Sequence, residues 1–324
     1  MQINGAGFLA GLDARDATAQ QHGTAGLLQQ ALYVAGLSGG SWAVGSLALN
    51  DWPQAEVLAN QTWHLGMNLI IPSDDAFSYY ADVVGDVAGK RHEGYPTGIV
   101  DYWGRALSYH LVNASYDQEG QATTWSDLRN TTSFQSATYP FPIVIADERE
   151  PGALLIHRNT TIFEFNPFEF GSFDPDVQAF VPMEILGSNL DNGKSNASDG
   201  QCTYGFDNFG FVVGTSSTLF NSVYSSLVTS DGDSAIKDAL KDVLGDVSEQ
   251  ANVRSNAVHA ETHSTEFFRP SRTSPPFRTR FRATPAVPAT FPLSRWTQSL
   301  LSMEERITKM CPSIRSWSQH VASI

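Results

Sequence analysis

The chain has little cysteine, no long hydrophobic run and no aspartate beyond Asp246. Two cysteines in 324 residues, Cys202 and Cys311, exclude a disulfide-framework domain and offer no zinc spacing. No stretch approaches the roughly 18 consecutive apolar residues of a membrane-spanning helix. The segment behind Met1, "QINGAGFLAGLDARD", lacks a basic start and a long apolar core, so no secretory signal is read there. No glycine-rich loop has nucleotide-binding spacing. His92 and His110 carry no metal-ligand spacing. Neither a cofactor nor a metal is expected.

Basic residues are scarce as well. The formal net charge is −14, and its distribution is uneven. Up to Ala251 there are 10 Lys and Arg against 30 Asp and Glu; from Asn252 onward there are 10 against 4 Glu. An acidic body of this kind is a poor partner for nucleic acid or an anionic membrane surface. The text changes where the charge does. Residues 252–324 are rich in Arg, Pro and Ser, with no apolar period of 2 or 3.6. The expected organisation is a folded body over 1–251 and an unpacked tail over 252–324.

Hydrophobic residues make up 41% of the chain, enough to bury a core. The apolar spacing predicts a helix over Asn4–Arg15, a strand over Leu32–Leu37 and a helix over Gly39–Leu49. Residues 51–135 read as mostly helical with polar loops. "FPIVIADER" is a short β-branched run with the signature of a buried strand. The segment Thr161–Ser188 alternates and is broken by Pro167, Pro175 and Pro182. "NFGFVVGTSSTLFNSVYSSL" reads as a strand, a glycine turn and a helix, and Ser234–Val247 as an amphipathic helix. Strands alternating with helices point to an α/β architecture.

Between the first strand and its helix lies Gly36-Leu37-Ser38-Gly39-Gly40. This is the G-x-S-x-G nucleophile elbow, in which a serine sits on a sharp turn with its Oγ exposed. Small residues are expected at Gly36 and Gly40 because strand and helix pass close together there. Gly39 and Gly40 open the helix, whose free amides face the serine. Ser38 is therefore the candidate nucleophile, with Gly36, Gly39 and Gly40 as elbow and oxyanion support.

Other residues compete less well. Ser216 and Ser217, in "GTSST", lack the second elbow glycine and read as a helix N-cap. Asp147 ends a strand and reads as the start of a loop. His157 reads as a structural histidine. Phe163, Phe165, Phe168, Phe170, Phe173 and Phe180 fit an acyl-chain channel or a core, and core is the expectation. Cys202 has no partner identifiable from the sequence. Five Asn-x-Ser/Thr sequons, at Asn60, Asn113, Asn130, Asn159 and Asn196, point to a glycosylated protein of the secretory pathway.

Four segments occur in one order: "LLQQALYVAGLSGGSWAVGSL", "FPIVIADERE", "FEFNPFEFGSFDPDVQAFVPMEILGSN" and "GQCTYGFDNFGFVVGTSSTLFN". Together they resemble the fungal lysophospholipase (phospholipase B) family, related to the cytosolic phospholipases, over roughly Asn4 to Ala251. The resemblance implies an incomplete three-layer α/β/α hydrolase-like core. It implies a secreted or cell-wall-associated glycoprotein that hydrolyses fatty-acyl esters of phospholipid and lysophospholipid, touching a lipid surface transiently. It further implies a Ser/Asp dyad without a catalytic histidine, with Ser38 as nucleophile.

Two parts of the family's pattern are not matched. A Gly-Gly-Gly-x-Arg oxyanion loop is expected just before "INGAGFLAGLDAR". An Asp-Gly-Gly run is expected well after "GTSSTLFN". The look-alike "SDGD" (Ser230–Asp233) sits in a polar loop, so the aspartate's role is not carried to Asp231. On this reading the chain as written is an impaired hydrolase. The alternatives are an inactive or mis-assembled chain of the same family, or an α/β-hydrolase with a Ser/His/Asp triad. That triad needs a late histidine, and only His259, His263 and His320 follow Asp246.

Overall fold

A computed structural model describes residues 2–66, 76–92, 95, 97–112, 123–148, 156, 158–197, 200–217 and 306–311. Three short helices open the chain: α1 (Gln2–Ala10), α2 (Ala17–His22) and α3 (Leu27–Gln30). The first helix stops five residues before the predicted end at Arg15. There the Asp13 carboxylate accepts from the Arg15 amide at 2.9 Å and from Gln29 Nε2 at 2.9 Å. A side chain that captures backbone donors competes with helix propagation.

Strand β1 (Tyr33–Leu37) follows, then helix α4 (Gly39–Leu49), with the bounds predicted for the helix. Helices α5 (Ala55–Gln61), α6 (Ala76–His92), α7 (Ile99–Leu111) and α8 (Thr132–Gln135) fill the stretch to β2 (Phe141–Asp147). Strands β1 and β2 pair in parallel, Tyr33 opposite Phe141 and Leu37 opposite Ile145. A parallel pair needs a long crossover, and these helices supply it.

The rest of the sheet is antiparallel. Strands β3 (Ile162–Phe165), β4 (Glu169–Ser172) and β5 (Ala179–Pro182) extend it in the order β1-β2-β3-β4-β5. The α/β class holds, but among the described strands only one pair is parallel. Chain length decides this for β3–β4 and β4–β5. Residues 166–168 and 173–178 are too short to carry a crossover helix, so hairpins form. Asn166 Oδ1 turns the first by accepting from the Phe168 and Glu169 amides at 2.9 and 3.0 Å. The prolines fall where no ladder donor is needed: Pro167 in that turn, Pro175 in the next, Pro182 at a strand end. A two-stranded hairpin, β6 (Leu190–Asp191) with β7 (Lys194–Ser195), follows.

Helix α4 is the centre of the core, with every residue except Gly40 buried. A helix apolar on all sides must be covered on all sides. It packs on β1 and β2, and α1 crosses it with Gly5 against Ala43. The third cover is α9 (Phe209–Thr215), whose Phe209 and Val213 side chains lie 3.0 Å from where a Cβ on Gly45 would be. Helices α7 and α9 touch backbone to backbone at Gly104 and Gly210, and a Cβ on either would overlap the other's carbonyl.

The segment Phe209–Thr215 was expected as a strand and is a helix. Asn208 caps it, its Oδ1 accepting from the Phe211 amide at 3.4 Å. A short apolar run buried on every side has no period that separates strand from helix. Packing against α4 and α7 decides it. The expected helix Ser234–Val247 lies outside the described residues.

Cys202 and Cys311, 109 residues apart, form a disulfide, a pairing with no local signal in the sequence. Residues 306–310 are helical. Ile307 and Met310 pack on the core, Cys311 is fully buried, and Arg306 pairs with Glu169 at 3.3 Å. These residues of the 252–324 segment lie against the body, where an unpacked tail was expected. The rest of that segment, Phe267, Phe268 and Trp296 included, is outside the described residues.

Candidate active site

Ser38 stands between β1 and α4 with φ 56° and ψ −129°. A non-glycine residue in this region is strained by about 1–3 kcal/mol and persists only where its surroundings over-determine it. Here they do. A Cβ on Gly36 would lie 2.6 Å from the Ser41 amide nitrogen and overlap the Gly40 carbonyl, so strand and helix cross in contact. The Ser38 carbonyl accepts from the Ser41 amide at 2.9 Å, the Trp42 amide at 3.3 Å and Ser41 Oγ at 2.5 Å. The Ser38 amide donates to Ser216 Oγ at 2.8 Å.

What this leaves free is the side chain. Ser38 makes no side-chain cap, and its Oγ has no hydrogen-bond partner among the described residues. Gly39 and Gly40 are the first two helical residues, so their amides have no intrahelical acceptor. A half-buried hydroxyl beside free amides and the positive end of an eleven-residue helix is the arrangement that attacks a carbonyl and holds its oxyanion. One expectation needs correcting. A Cβ on Gly40 would meet nothing within 4 Å, so of the two flanking glycines only Gly36 is required by packing among the described residues.

Ser216 was expected to begin a helix and instead ends one. It is the C-cap of α9 with φ −79° and ψ 4°. Besides accepting from Ser38, its Oγ donates to the Ile145 carbonyl of β2. It is 178 residues from Ser38 in sequence, and nothing in "GTSST" announces that contact. Ser217 lies next to it, its amide donating to the Gly214 carbonyl at 3.3 Å.

The acidic candidates separate. Asp147 closes β2 at the same end of the parallel pair as Ser38, opposite Ile162 of β3. Asp207 precedes α9, at the end away from Ser216. Nine residues at about 1.5 Å each put it roughly 13 Å from Ser216 along the helix axis. It is fully buried, and Oδ2 accepts from the Ser126 amide at 2.9 Å. Burial pushes its carboxyl up to about 6, against the hydrogen bonding at Ser126 that lowers it. Asp207 thus ties the start of α9 to the Ser126 turn, and no hydrogen bond among the described residues joins it to Ser38. Asp231 and His157 lie outside the described residues.

The remaining candidates are structural. His110 is buried on α7 with its ring 6.1 Å from that of His64, and His92 is exposed at the end of α6. Among the described residues no three His, Cys, Asp or Glu side chains are grouped to hold a metal. Phe165 is buried and Phe170 packs against it at 4.4 Å, as core. Phe168 joins Phe134 and Phe141, while Phe173 is exposed beside Phe180. The sequon residues Asn60, Asn130, Asn159 and Asn196 are all exposed, and Asn113 lies outside the described residues.

Comparison with known proteins adds the following. A family model of the lysophospholipase catalytic domain matches residues 1–280. The chain is 45% identical over 249 residues to a lysophospholipase of Penicillium chrysogenum, covering 73% of this chain and 40% of that protein. It is 46% identical over 231 residues to lysophospholipase 1 of Aspergillus fumigatus, covering 68% of this chain and 36% of that protein. Human GIVD cytosolic phospholipase A2 superposes with a TM-score of 0.50 at 22% identity, over 71% of this chain and 28% of that one. That likeness is one of fold. The chain spans about two fifths of the length of these curated relatives.

Two predictions follow from the site's geometry. Gly36→Ala drives β1 from α4 and yields protein with lost or greatly reduced cooperative unfolding, whereas Gly40→Ala unfolds like the parent; thermal melts of the two check this. The second concerns Asp207, whose pKa is higher folded than unfolded. Its contribution is complete below the unfolded value near 3.8 and is lost as pH rises through about 6. About two pKa units correspond to roughly 3 kcal/mol. Urea unfolding from about pH 4 to pH 7 should therefore show Asp207→Asn gaining on the parent by that order as pH rises. Parallel profiles would remove the buried carboxyl from the account.

Proposed function

The chain belongs to the lysophospholipase catalytic-domain family, and on that premise we propose that it hydrolyses fatty-acyl esters of lysophospholipid and phospholipid through Ser38. The observation that carries the reading is the backbone of Ser38, held at positive φ between β1 and the amide end of α4. Ser38 Oγ attacks the acyl carbon and its proton passes to a base. Carbonyl oxygen charge is taken by backbone amides, that of Gly39 first among them. The C–O bond to the glycerol oxygen breaks and the base returns the proton to it. Water then attacks the acyl-enzyme, releasing the fatty acid and restoring the Ser38 hydroxyl. In the family the base is an aspartate; no aspartate among the described residues is assigned that role.

The finer architecture proposed is the three-layer α/β/α core of that catalytic domain, with 1–251 as part of it. The proposed location is the secretory pathway, leading outside the cell or to its wall. Four exposed sequon asparagines and the Cys202–Cys311 disulfide support it, since such bonds persist in oxidising compartments.

In any active form of the protein, fluorophosphonate labelling and fatty-acid release from lysophosphatidylcholine should both be abolished by Ser38→Ala. Loss of the nucleophile costs on the order of 10⁶ in rate in a comparable serine hydrolase. A Ser38→Ala protein that keeps more than a few per cent of parental turnover sinks the assignment. For the location, endoglycosidase treatment of protein expressed in a fungal host should increase its gel mobility. Unchanged mobility counts against glycosylation.

A further inference from the structure

We propose that Ser216 is a positioning residue for the nucleophile, a hydroxyl inserted into the sheet ladder that keeps Ser38 in its turn. The inference rests on Ser38 being the nucleophile and adds a residue to that site. It starts from the hydrogen-bond register of β1 and β2. The Phe141 amide donates to the Leu32 carbonyl at 2.9 Å. With Tyr33 opposite Phe141 and Leu37 opposite Ile145, every second residue of β2 bonds to β1. The series runs through Phe141, Ile143 and Ile145. Its next bond would join the Ser38 amide to the Ile145 carbonyl.

That bond is replaced. The Ser38 amide donates to Ser216 Oγ at 2.8 Å, and Ser216 Oγ donates to the Ile145 carbonyl. One hydroxyl thus serves both groups that the ladder would have paired directly. A direct bond would hold nitrogen and oxygen about 3 Å apart. An interposed oxygen separates them, so β1 leaves β2 at this residue, where φ turns positive. Ser216 is buried, and it caps α9, which is locked against α7 by the Gly104–Gly210 contact. The hydroxyl is therefore presented by a fixed element, and the elbow is fastened to the core from 178 residues away.

Removing the hydroxyl has two possible consequences, and both displace Ser38 Oγ. Either the ladder closes and pulls Ser38 toward extended backbone, or its amide and the Ile145 carbonyl stay unpaired. A displacement near 1 Å at a reacting atom costs on the order of 100-fold in rate. Ser216 is buried and its Oγ is engaged by the Ser38 amide and the Ile145 carbonyl, so the loss belongs in kcat.

The test uses the full chain and its Ser216→Ala, Ser216→Thr and Ser38→Ala variants, with fluorophosphonate labelling rate and lysophosphatidylcholine kinetics as readouts. Folded Ser216→Ala should label about 10- to 100-fold more slowly, with kcat reduced and KM nearly unchanged. Ser216→Thr, which keeps the hydroxyl, should recover most of the rate. Ser216→Ala labelling at the parental rate overturns the proposal. If Ser38→Ala still labels, it is the nucleophile reading that fails. A measurement on the parent chain decides the case if Ser216→Ala does not fold. In residue-resolved hydrogen exchange the Ser38 amide should be protected while those of Gly39 and Gly40 exchange freely. A Ser38 amide exchanging as fast as theirs overturns the proposal whatever the variants do.

Discussion

The contact between β1 and α4 at Gly36 is the constraint on which the rest of the structure depends. The strand runs into the first turn of the helix with no room for a single methyl group. That crossing forces the reversal at Ser38, and the reversal puts the hydroxyl on the outside of the turn and two free amides beside it. Everything else in the body can be described by how it keeps this crossing in place. Helix α4 is walled in by α1, by the sheet and by α9, so it cannot retreat from the strand.

Close approach comes at a polar cost, because a helix made of Gly, Ser and Ala brings hydroxyls and backbone into the interior. The structure meets it by partnering those hydroxyls, Ser46 and Ser216 with more than one group each. Ser46 Oγ donates to the Leu111 carbonyl at 2.5 Å and accepts from Trp63 Nε1 at 2.8 Å. Ser41 Oγ donates to the Ser38 carbonyl, and Ser216 Oγ bridges the elbow to β2. An unmade hydrogen bond in such surroundings costs about 1–3 kcal/mol, so these hydroxyls have little freedom to point elsewhere. Packing and polarity specify the same geometry, which is what a strained backbone needs in order to persist.

The acidic character of the body has a different standing. Its carboxylates are spread over the described surface, and those that enter the interior are tied individually. Asp101 holds Lys90 at 2.8 Å and Asp86 holds Arg105 at 2.6 Å. Asp207 faces a backbone amide in place of a cation, which is why burial dominates its behaviour. Among the described residues no hydrogen bond or ion pair joins Asp86, Asp101 or Asp207 to the elbow.

The sequence by itself determined the parts whose cause is local. The elbow could be read from Gly36, Ser38 and Gly40 because the G-x-S-x-G spacing marks a sharp strand-to-helix turn. Helix α4 could be bounded because it starts at the turn and ends with its apolar run, and β2 because it is a short β-branched run ending in charges. The four segments that carried the family resemblance are local text as well. Tertiary structure alone decided the rest. "FGFVV" is helical because α4 and α7 close around it, and a run buried on every side gives period-based reading nothing to work with. Two of the sheet's three antiparallel pairs follow from short connections after β3, which allow only hairpins. Among the described residues nothing meets a Cβ on Gly40, while Gly36 is required by packing, a distinction set by which backbone atoms lie across from each. Ser216 and the Cys202–Cys311 bond act across 178 and 109 residues. Contacts at such separations exist only once the intervening chain has folded, and they leave no pattern in the residues around them.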